Sequence, residues 1–120
     1  MTEPYTTPQV AAMIDRSVYK TISFITRGFT KPSIQDANGH GTKRLWSEDD
    51  VVRMATVATL QDAGFTAEAI RQWDVNSMDL SCKSIDDDHW DGFTMSIDLD
   101  VIRSLIKERE GSIPGGHRRE

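Results

Sequence analysis

The stretch Trp46-Ser47-Glu48-Asp49-Asp50-Val51 constrains this chain more than any other. A serine followed three residues later by an acidic side chain is a capping box. The Ser47 hydroxyl can accept from the Asp50 amide, and the Asp50 carboxylate can accept from the Ser47 amide, satisfying donors that a helix start otherwise leaves orphaned. Trp46, just before the cap, can staple onto Val51. Met54, Ala55, Ala58 and Leu60 continue the apolar surface as far as Gly64. The device then repeats: Phe65 precedes a second cap, Thr66, and can pack on Ile70. Two consecutive helices with defined starts are predicted, the first closed by a glycine.

The N-terminal third has its own punctuation. Thr7 is the expected cap of a first helix, with Pro8 at a position where a missing N–H loses nothing. Val10, Ala11 and Ile14 recur at helical spacing. Asp15-Arg16 reads as a tight turn and Ser17 as the cap of a second helix carrying Ile22, Phe24 and Ile25, which stops at Gly28. Residues 30–46 read as a hairpin, with arms at 30–34 and 42–46 around Asn38-Gly39-His40-Gly41. Beyond Trp73, residues 74–77 are expected to connect to a short strand at 80–85 and an acidic loop, Asp86-Asp87-Asp88-His89. Phe93, Met95, Ile97 and Leu99 alternate with polar residues, the pattern of a half-buried strand. Val101, Ile102, Leu105 and Ile106 switch to helical spacing until Gly111, and residues 112–120 are expected to be disordered. The predicted class is mainly α with a small β-hairpin wing, followed by a short β-hairpin plus helix.

Charge narrows the function. The chain carries a formal net charge of −5, which argues against a nucleic-acid surface covering the whole molecule. Residues 1–46, however, hold six Lys/Arg against three acids, while residues 76–110 hold four against nine. The positive excess is confined to one end, as a protein with one DNA-facing surface requires. No apolar run reaches membrane-spanning length, the first residues do not resemble a signal peptide, and Cys82 has no cysteine to pair with. A cytoplasmic location is expected.

Several segments are similar, in order, to the DNA-binding domain of MerR family transcriptional regulators. Tyr5-Thr6 followed by Val10-Ala11 resembles that family's opening Y-T-x-x-x-V-A. Lys20-Thr21-Ile22-Ser23-Phe24-Ile25 looks like R-T-L-R-Y-Y, and Gly28-Phe29-Thr30-Lys31-Pro32 like G-L-L-K-P. Arg44-Leu45-Trp46-Ser47-Glu48-Asp49-Asp50-Val51 resembles R-L-Y-S-E-E-D-V; Gln61-Asp62-Ala63-Gly64-Phe65-Thr66 resembles R-E-L-G-F-S, and Ile70-Arg71 the closing I-R. The likeness spans residues 5–73. Two departures stand out: the family's arginine within the second helix falls on Ser23, and its long C-terminal dimerisation helix is replaced by a strand pair and a short helix.

The resemblance implies a winged helix-turn-helix in residues 1–75, an appendage for dimerisation or effector binding in 76–111, and a tail in 112–120. The second helix would enter the major groove, with Lys20 and Ser23 near bases, Tyr19 and Arg27 nearer the backbone, and Ser17 a further DNA-binding candidate. Lys31, His40, Lys43 and Arg44 would approach phosphates, adding affinity without sequence information. So few cations per subunit point to a homodimer on a palindromic double-stranded site, with Val101, Ile102, Leu105 and Ile106 as candidate interface or, equally, as internal packing. RNA polymerase and a small-molecule effector are further candidate partners, and no cofactor is expected. Cys82 with the acidic loop and His89 has too few ligands for a metal site, and no catalytic motif is present. Competing readings are a phage or plasmid DNA-organising protein, such as an excisionase or small terminase subunit, and an adaptor whose acidic half grips a basic partner.

Overall fold

The computed structural model describes residues 4–34, 44–73, 75–87 and 95–111. A two-residue strand β1 (Tyr5–Thr6) leads into α1 (Thr7–Met13), α2 (Val18–Thr26), β2 (Leu45–Trp46), α3 (Glu48–Asp62) and α4 (Ala67–Trp73). A single 3-10 turn (Val75–Ser77) follows, then β3 (Ser84–Asp87), β4 (Met95–Asp98) and α5 (Leu99–Gly111). The mainly helical class with small two-stranded antiparallel elements is the expected one.

Local chemistry sets the helix boundaries. Ser47 and Asp50 form the predicted reciprocal box: the Asp50 amide donates to the serine hydroxyl at 3.1 Å and the Ser47 amide to the carboxylate at 2.9 Å. Trp46 and Val51 are both fully buried beneath it. Thr66 caps α4 through the Ala69 amide, and Ser17 caps α2 through the Lys20 amide. The first cap moves by one residue. Thr6, not Thr7, accepts from Gln9, whose side chain returns to the Thr6 amide, so Pro8 is the second helical residue.

α1, α2 and α3 stop by one mechanism. In each, the third residue past the helix donates to the carbonyl five positions back and its predecessor to the carbonyl three positions back, the Schellman arrangement. The bonds run from Phe29 to Phe24 (2.9 Å) and Gly28 to Ile25 (3.0 Å), and from Phe65 to Leu60 (3.1 Å) and Gly64 to Gln61 (3.0 Å). At α1 they run from Arg16 to Ala11 (2.9 Å) and Asp15 to Ala12 (3.3 Å). The pivot must take positive φ. Gly28 (79°) and Gly64 (97°) do so without strain, whereas α1 uses Asp15 at 59°.

The expected wing pairing is corrected. Residues 30–34 form no strand, and β2 pairs instead with β1, Tyr5 opposite Trp46 and Thr6 opposite Leu45. Pro32 has no N–H to donate, and the Ser33 amide is committed to the Asp50 carboxylate at 2.8 Å, so the middle of this arm has no amide free for a neighbouring strand. The turn Asn38-Gly39-His40-Gly41 lies outside the described residues. The later strand pair forms, but β3 begins at Ser84 rather than at residue 80, so Asp86 and Asp87 belong to a strand opposite Ser96 and Met95 rather than to a loop.

One hydrophobic cluster runs from Tyr5 through α1, α2, α3 and the 3-10 turn to Ile97, Leu99, Ile102 and Ile106. α5 packs against both α1 and α3. Its last turn is tied to the N-terminal region by the Tyr5 hydroxyl, which donates to Glu110 Oε2 at 3.1 Å, and by Arg109 Nη1, which donates to the Met13 carbonyl at 3.3 Å. The candidate stripe is thereby divided. Ile102 and Ile106 are buried within the monomer (6 % and 3 % exposed), whereas Val101 and Leu105 are 54 % and 40 % exposed.

Candidate nucleic-acid interface

α2 is held from behind by Thr21 and Phe24, both fully buried. The Thr21 hydroxyl donates to the Ser17 carbonyl at 2.9 Å, so the polar group on this inner face is satisfied locally. Phe24 meets Phe29 edge-on, with ring centroids 5.9 Å apart. Of the apolar residues expected on this helix, Ile22 and Ile25 are only half-buried at the flanks, because the core sits on the Thr21–Phe24 line.

The opposite side is open. Tyr19 is 82 % exposed, and Lys20, Thr26 and Arg27 are exposed, with Ser23 half-buried between them. Tyr19, Ser23 and Thr26 follow the spacing of one helical stripe, and Lys20, Ser23 and Arg27 that of its neighbour. Ser17 is exposed too, but its hydroxyl accepts from the Lys20 amide at 3.1 Å and is engaged as the cap. The Ser23 hydroxyl donates to the Lys20 carbonyl at 2.6 Å, leaving its oxygen as an outward acceptor. This face offers short polar groups, one aromatic ring and two cations, and no carboxylate of α2 opposes them.

The segment after α2 is pinned by Phe29, Thr30 and Pro32, all buried, so that Lys31 between them is turned out to solvent. Arg44 is half-buried where the chain enters β2. β2 is anchored to the start of α1, the Trp46 indole N–H donating to the Thr7 hydroxyl at 3.1 Å. His40 and Lys43 lie outside the described residues.

A further cation, absent from the sequence-based candidates, stands at the end of α2. Arg71, exposed on α4, places its Nη1 3.4 Å from the Arg27 backbone carbonyl, so its guanidinium sits at the C-terminal end of α2. The donor also meets the negative end of the helix dipole. Its only sequence signal was the closing Ile70-Arg71 pair. Beyond α4, Cys82 is exposed, with its thiol 3.4 Å from Asp79 Oδ2; that hydrogen bond, reinforced by the carboxylate's charge, pushes the thiol pKa up. Two hydrogen bonds from Ser81 hold Asp79 below the usual carboxylate range. Among the described residues no group of His, Cys, Asp and Glu is placed to hold a metal ion, and no helix is long and apolar enough to cross a membrane.

Comparison with known proteins identifies this arrangement. The family model described as MerR HTH family regulatory protein matches residues 5–74, from β1 to just past α4. No curated protein matches the chain significantly.

Proposed function

The chain belongs to the MerR HTH family of DNA-binding regulatory proteins, and from that premise we propose that it binds a specific double-stranded site as a homodimer, with α2 in the major groove. The observation that carries this reading is the outward face of α2, where Tyr19, Lys20, Ser23 and Arg27 stand opposite a fully buried Thr21 and Phe24. Lys20 and Ser23 read base edges; Tyr19, Arg27 and the amino end at Ser17 meet the backbone. Lys31, His40, Lys43 and Arg44 neutralise phosphates of the adjoining groove, joined by Arg71 beside Arg27.

A single subunit brings few cations to the duplex, and two-fold symmetry doubles them on a palindromic site. Val101 and Leu105 supply the self-complementary patch, and they continue into an apolar groove of about 330 Å³ bordered by Phe65 and Ile97. Ile102 and Ile106 support this patch from within the monomer. RNA polymerase or an effector would engage the complex formed on the operator.

Selection of bound duplexes from random DNA, followed by anisotropy titrations at two salt concentrations, tests the reading. A discrete palindrome bound as a dimer, with affinity falling steeply as salt rises, is the expected result. Weak, salt-insensitive binding would favour the adaptor, and length-dependent coating of DNA would favour an organiser. Val101→Glu with Leu105→Glu should yield a monomer by size exclusion with light scattering, with weakened operator binding.

A further inference from the structure

A cavity of about 160 Å³ opens between the Asp15-Arg16 turn, α3 and α5, away from the outward face of α2. Ile14, Ala55, Ala58, Ile102 and Ile106 give it an apolar wall, and two guanidinium side chains, Arg16 and Arg109, border it. The two are in different states. Arg16 is ion-paired: Nη2 donates to Asp62 Oδ1 at 2.7 Å and to the Ala58 carbonyl at 3.1 Å, and Nη1 to the Asp15 carbonyl at 2.9 Å. Arg109 is half-buried, its one hydrogen bond goes to the Met13 carbonyl at 3.3 Å, and it makes no ion pair among the described residues. Of the two carboxylates at the rim, Asp62 is paired with Arg16, and Asp15 is exposed to solvent.

A partly buried cation beside apolar wall, with donors left over, is chemically incomplete, because buried charge is ordinarily paired and a guanidinium presents a planar fork that fits a carboxylate. The volume suits a compact ring, since an apolar cavity of about 150 Å³ accommodates benzene. We propose that this cavity binds a small organic acid, its carboxylate on Arg109 and its apolar body against Ala55, Ala58, Ile102 and Ile106. The site is independent of whether α2 meets DNA. It also differs from a purely structural role for Arg109 as a donor to the end of α1, which requires no ligand.

The probe is sodium benzoate, with benzamide as its neutral counterpart and sodium chloride holding ionic strength constant. Both are titrated into the full chain and followed by amide chemical shifts. Benzoate should give saturable shifts centred on Ile14, Ala58 and Ile106, and benzamide should bind at least about tenfold more weakly, the scale of a lost charge-assisted hydrogen bond. Arg109→Gln should reduce benzoate affinity by a similar factor and leave benzamide unchanged. Arg109→Lys retains the charge, guards against a folding defect and should restore part of the affinity. The proposal is overturned if the shifts do not saturate, if they centre elsewhere, if the two probes bind alike, or if Arg109→Gln lowers thermal stability without altering benzoate affinity.

Discussion

Asp15 shows what a single position can contribute. It fills the left-handed pivot that glycine fills at the ends of α2 and α3, and it does so at φ 59°. Asp tolerates this region better than most residues, and a β-branched side chain tolerates it worst. Asp15→Gly should therefore leave stability unchanged or raise it by up to about 1 kcal/mol, whereas Asp15→Val should lower it by about 1–3 kcal/mol in chemical denaturation. Cys82 makes a prediction of another kind. Its thiol pKa is raised by the hydrogen bond and charge of Asp79, so less thiolate exists at a given pH. The fold favours the neutral thiol, and that preference is present below the unfolded thiol pKa and lost as pH rises through the folded one. Iodoacetamide should label Cys82 with a rate–pH midpoint above that of an ordinary thiol, and Asp79→Asn should bring the midpoint down. At this scale the sequence was readable wherever a side chain bonds its own neighbours, as at Ser17, Ser47 and Thr66. Thr6 and Thr7 could not be separated, because both are competent caps and only Gln9 chooses between them.

Among elements, α2 and the segment leading to β2 divide the work proposed for DNA. Replacing Lys20 and Ser23 with Ala should change which sequences are preferred, each lost base contact being worth about 1–3 kcal/mol of discrimination. Reversing Lys43 and Arg44 to Glu should instead weaken binding to all sequences alike and flatten its salt dependence; affinity panels over variant operators distinguish the two. If both pairs changed binding in the same way, the division would be wrong. The helices and their order were legible from periodicity and stop signals. The partner of β2 was not: Asn38-Gly39 is a strong local hairpin signal, but pairing depends on donors, and Pro32 and Ser33 have none left for a neighbouring strand. The α5 stripe misled for a related reason. Helical spacing shows that Val101, Ile102, Leu105 and Ile106 share a side of the helix, but not that α1 and α3 cover only half of it.

For the molecule as a whole, the family match ends at residue 74 but the core does not. Leu99, Ile102 and Ile106 are all buried in the cluster that holds α1 and α3. Three aliphatic side chains at about 1.5–3 kcal/mol each amount to a large share of the ~5–15 kcal/mol that stabilises a typical domain. A fragment of residues 1–75 should accordingly be molten or unfolded by near-ultraviolet circular dichroism and amide dispersion, and a cooperative melt matching that of the full chain would refute this. The bond from Tyr5 to Glu110 has a further consequence, for synthesis on the ribosome. Its partners are 105 positions apart, so the chain must close a very long loop before the phenol finds its acceptor. The N-terminal strand can pair with β2 as soon as residue 46 has emerged, but its tether to Glu110 cannot form until the final turn of α5 has cleared the exit tunnel.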